Sequence, residues 1–256
     1  MDLQLNNKNA LVCGSTQGIG KATAFALAEE GVNITLVARN EDKLKEVLAA
    51  LPAHRTHNYI VADFSNPQEL EEKMQGKGQY HILVNNTGGP KSGLISSASL
   101  EEFTNAFQMH IICNHILVQA CLPFMKEAGF GRIINVISTS VKEPIPGLGV
   151  SNTIRNAVAN WAKTLAGELG QFGITVNNVL PGFTDTARLD QIIRVKAKRE
   201  GTSEAEMTEI MKNYVPAKRF AKPEETAAAI TFLASEPASY INGINLPVDG
   251  GRTKSL

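Results

Sequence analysis

Ala10-Leu11-Val12-Cys13-Gly14-Ser15-Thr16-Gln17-Gly18-Ile19-Gly20 joins a short apolar run to a glycine-rich turn, and a helical pattern follows from about Gly18 to Glu30. The apolar run reads as a buried strand. Glycine permits a tight turn and close backbone approach, and a helix that starts on such a turn points its free N–H groups at an anion such as a pyrophosphate. Strand, glycine turn and helix in that order carry far more weight than the glycines alone. Gly31 is placed to close the helix in a left-handed conformation.

The pattern repeats along the chain. Ile34–Val37, Tyr59–Ala62, His81–Val84, Ile133–Ile137, Ile174–Val179 and Ile244–Val248 read as further strands. Between them lie helices with recognisable starts. Asn40 caps one ahead of Glu41 and Asp42, and Asn66-Pro67-Gln68-Glu69 starts another with a cap, a proline at the first position and an acid at the third. Ser99 and Glu102 form a capping box for a long helix to about Lys126. Further helices run over about 150–169 and 224–235. Strands alternating with helices of this length imply an α/β fold, a doubly wound sheet of about seven parallel strands with helices on both faces in a single domain, 1–256. Ligands of such sheets bind beyond the carboxyl ends of the strands, at the switch in strand order.

Lysine and arginine number 25, aspartate and glutamate 25, so the net charge is zero. That balance gives no electrostatic case for nucleic acid or an acidic membrane. The basic run Lys196–Arg199 is offset by Glu200, Glu204 and Glu206 and reads as a solvated helix face. Cys13, Cys113 and Cys121 are an odd set in apolar segments, which argues for buried thiols and against a disulfide framework. No metal is expected. The first residues lack a basic stretch followed by an apolar one, and no apolar run reaches membrane-spanning length, so a cytoplasmic protein is expected. Residues 107–118 and 157–166 are apolar on most sides. Such a helix has a second buried face, either in a subunit interface of a homo-oligomer (dimer or tetramer) or deep within one chain.

Arg39 stands just beyond the second strand, where an acid would accept hydrogen bonds from the ribose hydroxyls of NAD(H). A guanidinium suits a 2′-phosphate instead, which favours NADP(H) over NAD(H).

The glycine turn, Asp63, Asn85-Asn86-Thr87-Gly88, Asn135, Ser138, Pro181-Gly182 and the tail from Phe232 through Asp249-Gly250-Gly251 together resemble the short-chain dehydrogenase/reductase family, and most closely its 3-oxoacyl-acyl-carrier-protein reductase branch. The resemblance covers nearly the whole chain. It implies a Rossmann sheet in which Gly14, Ser15, Thr16, Gln17, Gly18, Ile19 and Gly20 cradle the pyrophosphate. Asp63 and Phe64 would contact adenine, Asn86 and Gly88 the ribose, and Pro181, Gly182 and Thr184 the nicotinamide side. Cys13 departs from the family's usual threonine. The resemblance also implies a cover over the active site at about 184–218, whose length and polarity fit a mobile lid or else a fixed surface excursion.

The catalytic end departs further. The family works with asparagine, serine, tyrosine and lysine. Ser138 matches the serine and would hydrogen-bond the substrate carbonyl. Ser151 stands for the tyrosine, Arg155 for the lysine, and His110, placed by counting back from Gln119-Ala120, for the asparagine. A serine hydroxyl is far less acidic than a phenol, and arginine does not readily release a proton. Arg155 can still hold ribose hydroxyls. His110 has the intrinsic acidity for a relay, or is a hydrogen-bonded core residue. Tyr214, in the cover segment, is either a substitute acid or a packing aromatic. Lys91, Lys142 and Glu143 flank the pocket; with Arg155 and His110 the basic groups offer a site for an acidic substrate or a carrier's phosphate, or the loop lysines are simply solvated. The leading expectation is an NADP(H)-dependent oxidoreductase acting on a carbonyl or alcohol, small or acyl-carrier-linked, by an altered proton route. The alternative is a catalytically silent NADP(H)-binding sensor or oligomeric scaffold.

Overall fold

Strand and helix alternate through the computed structural model, which describes residues 1–255. The first half holds β1 (Asn9–Cys13), α1 (Gly18–Glu29), β2 (Asn33–Ala38), α2 (Glu41–Ala50), β3 (Asn58–Val61), α3 (Pro67–Met74) and β4 (Ile82–Asn85). Then come α4 (Leu100–Phe107), α5 (Cys113–Ala128), β5 (Gly131–Val136), α6 (Gly149–Leu169) and β6 (Ile174–Pro181). The chain ends with α7 (Ala187–Glu200), α8 (Glu204–Asn213), α9 (Pro223–Leu233) and β7 (Asn245–Val248). The strands form one seven-stranded sheet in the order β3-β2-β1-β4-β5-β6-β7, and every pairing is parallel. Order therefore reverses between β1 and β4, and the crevice outside their carboxyl ends is where such a sheet takes its ligand.

Alternation along β1 shows how the two layers are built. Leu11 and Cys13 face a core with Leu83, Cys113, Leu117 and Ile133. Ala10 and Val12 face the other side, with Leu27, Ile34, Leu36 and Val84. Period-two alternation with both faces apolar is what a sheet covered by helices on each side requires. All three cysteines are buried free thiols, as expected. Burial pushes the Cys121 thiol up to about 12, and burial followed by the Asp63 charge does the same to Cys113. No described helix is long and apolar enough to cross a membrane.

The helix starts follow the sequence closely. Asn40, Asn66 and Ser99 each accept a hydrogen bond from a first-turn backbone N–H, and Ser99 with Glu102 completes the capping box. The long helix from Ser99 is not uniform, however. It passes through a π-helical turn, Gln108–Ile112, which separates α4 from α5. The apolar segments 107–118 and 157–166 are largely accounted for by burial within the chain: Cys113, Leu117, Val118, Val158 and Ala162 lie in the core. Phe107 and Ile112 remain exposed, with Ile111 and Trp161 half-buried beside them.

A row of amides crosses the sheet at one register. Asn85 Nδ2 donates to Asn135 Oδ1 (2.8 Å), Asn135 Nδ2 to Asn178 Oδ1 (2.9 Å), and Asn178 Nδ2 to Asn245 Oδ1 (2.8 Å). Each residue is paired with the next in the strand register. The links satisfy the interior of the row and leave only the Asn85 Oδ1 at its end without a partner, and losing one link strands its neighbours. Asn135→Ala is thus expected to destabilise the fold by about 2 kcal/mol, read as a lower denaturation midpoint with an unchanged slope in urea.

Candidate active site

A cleft of about 640 Å³ opens along the carboxyl ends of the strands. The glycine turn forms one wall. Gly14 has φ +60°, and a Cβ there would sit 2.5 Å from the Asn86 carbonyl oxygen. Asn86 clasps the turn from the β4 side, its Nδ2 donating to the Cys13 (3.3 Å) and Gly14 (3.4 Å) carbonyls. No side chain caps α1, so its first N–H groups face the cleft as an anion site. Gly14, Thr16, Gln17, Gly18 and Ile19 line the cleft.

Two residues of the turn do not line it. Ser15 is turned inward, with its N and Oγ both 3.4 Å from the Val37 carbonyl. It ties the turn to β2. Gly20 is buried against the turn, and a Cβ there would fall 2.2 Å from the Gly14 carbonyl oxygen. Its role is to let helix and turn pack.

Arg39, Asp63 and Phe64 lie together along the cleft. Arg39 is 74% exposed and 3.9 Å from Asp63, a loose surface pair worth little on its own. Lys43 joins them. The sequence reading missed it; the Asn40 cap, which accepts from the Lys43 N–H at 2.9 Å, sets the first turn of α2 here.

Asn86, Gly88, Pro181, Gly182, Thr184, Ser138, Ser151 and Arg155 line the remainder. Ser138 follows β5, and its Oγ accepts from the Ser140 N–H at 3.1 Å. That bond leaves the hydroxyl proton free to be donated. Ser151 lies in the first turn of α6, and Arg155 one turn further on. Arg155 is 7% exposed, and its Nη1 donates to the Val136 carbonyl at 3.1 Å. Burial first, and then the neighbouring charge of Arg188, pull its guanidinium down to about 10. It is still protonated at neutral pH. Arg188, at the start of α7, also lines the cleft and donates to the Pro90 carbonyl at 2.8 Å. Nothing local in the sequence marked it.

His110 is not among the cleft-lining residues. It sits in the π-helical turn, 2% exposed, with Nδ1 2.9 Å from the Thr87 hydroxyl. Burial, then the Arg155 charge, hold its pKa well below 6.5, so it is neutral. The imidazole lies behind the cleft lining, with the Arg155 charge nearby. Because the unfolded chain takes up this proton below about 6.5 and the folded one does not, acid costs stability as pH falls from 6.5 towards the lower folded value. His110→Gln should remove that part of the acid limb, a difference visible in melting temperature measured from pH 7 to pH 5.

None of the four tyrosines lines the cleft. Tyr59 donates to Glu41, Tyr80 is buried, and Tyr214 and Tyr240 are exposed. Tyr214 is therefore no substitute acid in this arrangement. Lys91, Lys142 and Glu143 also stay off the cleft wall, and Glu143 accepts from the backbone of Lys254 and Ser255 instead. The basic groups at the substrate end are Arg155 and Arg188.

Comparison with known proteins identifies the family. A family profile described as enoyl-(acyl carrier protein) reductase matches residues 14–253. The chain is 30% identical to the NADPH-dependent reductase BacG of Bacillus subtilis, across 98% of this chain and 100% of that one. It is 33% identical to the 3-oxoacyl-[acyl-carrier-protein] reductase FabG of Haemophilus influenzae, across 96% and 98%. Its fold matches the crystal structure of L-sorbose reductase from Gluconobacter frateurii, complexed with NADPH and L-sorbose, with a TM-score of 0.93 and 31% identity over 100% of both chains. The chain belongs to the short-chain dehydrogenase/reductase family.

Proposed function

We propose that this protein is an NADPH-dependent reductase of a carbonyl compound that works without a tyrosine acid. The observation that carries the reading is one continuous cleft with the glycine turn and Arg39 at one end and Ser138, Ser151 and Arg155 at the other. The residues present fit the cofactor. The turn is held open where a Cβ on Gly14 would collide, the α1 N-terminus is uncapped, and Arg39 and Lys43 supply positive charge. Gly14 and Thr16–Ile19 would hold the pyrophosphate, Arg39 and Lys43 the 2′-phosphate, and Asp63 and Phe64 the adenine. Asn86 and Gly88 would lie along a ribose, with Pro181, Gly182 and Thr184 at the nicotinamide. The NADPH dependence of BacG and the NADPH in the sorbose reductase complex support the same choice. When bound, NADPH supplies the hydride.

The chain's own side chains then orient and stabilise. Ser138, its lone pair engaged by Ser140, donates to the carbonyl oxygen. Arg155, one helical turn beyond Ser151, supplies a buried positive charge at the substrate end of the cleft. Ser151 is too weak an acid to replace a phenol, so the proton comes from water in the cleft. Segment 184–218 is the cover: α7 and α8 share a small core of Leu189, Ile193, Met207 and Met211, while Leu189 and Ile192 also face the cleft. The exposed Phe107 and Ile112, with half-buried Trp161, support self-association along α4, α5 and α6.

The lack of a cleft tyrosine favours one second reading, an NADP(H)-binding protein without turnover. Loss of NADPH absorbance with a panel of small ketones, aldehydes, oxoacids and acyl-carrier-linked ketones separates the two. Carbonyl-dependent consumption supports the reductase; binding without consumption across the panel supports the silent form.

A further inference from the structure

We propose that Arg155 and Arg188 form a clamp for an anionic group on the substrate, so that the carbonyl compound taken here carries a carboxylate or a phosphate. This rests on the reductase reading. Both guanidinium groups converge on one spot of the cleft wall. A Cβ built on Gly89 would lie 3.4 Å from Nη2 of Arg155 and 4.0 Å from Nη2 of Arg188. Glycine leaves that space open.

Each arginine is anchored by a carbonyl rather than neutralised by an acid. Arg155 holds Val136 and Arg188 holds Pro90. Neither forms an ion pair among the described residues. The one carboxylate lining the cleft among those residues, Asp63, is at the other end beside Arg39. Arg155 also keeps a buried Nε with no acceptor. Two like charges held close, one buried and one half-buried, repel each other, and an anion between them relieves that cost. Burial is the main cause that lowers the Arg155 pKa, and the Arg188 charge adds to it. Guanidinium forks match carboxylate and phosphate oxygens in pairs, which a lysine cannot do. Ser138 and Ser151 line the same end of the cleft, so the anion would sit towards α7 with the carbonyl at the serines.

The test uses the protein saturated with NADP+, in whose complex a carbonyl compound binds without being reduced. Calorimetric titrations compare 3-oxobutanoate with its methyl ester, and dihydroxyacetone phosphate with dihydroxyacetone. At least one anion should bind about tenfold or more tightly than its neutral counterpart, in line with charge-assisted pairing. A preference in the first pair assigns a carboxylate, and one in the second a phosphate. Arg188→Ala should erase the preference without weakening NADPH, and Arg188→Lys should keep part of it. Equal binding of charged and neutral partners overturns the clamp, as does a preference that survives Arg188→Ala. A loss of NADPH affinity in Arg188→Ala also overturns it, by assigning the arginine to the cofactor. Failure of the unaltered protein to bind NADPH would instead refute the reductase reading, and the same titrations on the protein alone would still judge the clamp.

Discussion

Ser138→Ala is expected to lower carbonyl-dependent NADPH consumption by about 10²–10³-fold, the usual cost of removing one donor aimed at a developing oxyanion. The structure gives the reason. Ser138 Oγ accepts from the Ser140 N–H, which holds the oxygen in place and leaves its own proton available to donate. With no tyrosine on the cleft wall, fewer donors remain to share the work than in a site built around a phenol. NADPH affinity should stay within about twofold, because the lost bond strengthens only in the transition state. Ser138→Thr keeps the hydroxyl and should recover part of the rate. Steady-state kinetics alongside cofactor calorimetry read both effects. An unchanged turnover in the alanine variant would remove Ser138 from the chemistry.

Arg39→Asp is expected to weaken NADPH binding by about 10- to 100-fold while leaving NADH unharmed or improved, because hydrogen bonds to a charged group contribute about 1.5–3 kcal/mol. In the structure Arg39 is largely exposed and only loosely paired with Asp63, so little inside the protein competes for its guanidinium. A 2′-phosphate would engage it bidentately. The reversal replaces that attraction with repulsion and restores the ribose acceptor that suits NAD(H). Arg39→Ala separates the two contributions, since it removes the attraction alone. Higher salt should reduce the NADPH advantage of the unaltered protein, because the site is open to solvent.

Much of this was legible from residues 10–20 and the alternation that follows. Apolar runs with capped helices between them require a parallel sheet, and the sheet sets where the loops meet. The glycine pattern revealed the turn but not which of its residues face a ligand. Ser15 and Gly20 turn inward because they join the turn to β2 and to its own helix. The π-helical turn left no local signature, since a shift of hydrogen-bonding partner within a helix is imposed by packing. It holds His110 buried against the Thr87 hydroxyl, with the Arg155 charge nearby. Arg188 was invisible for a different reason. It reaches the cleft because the chain returns over the site after β6, with Asp185 N bonded to Ala221 O and Ala221 N to Phe183 O holding that return. Loop lysines closer in sequence to the motifs, Lys91 and Lys142, do not line the cleft. Ser151 and Arg155, which stand where the resemblance puts a tyrosine and a lysine, both line the cleft.

The central claim is an NADPH-selective cleft, and side-by-side calorimetry of NADPH and NADH with the unaltered protein tests it most directly. Tight NADPH with NADH weaker by about tenfold or more is the predicted result, following from the phosphate contact at Arg39. Equal affinities, or binding of neither, would contradict it.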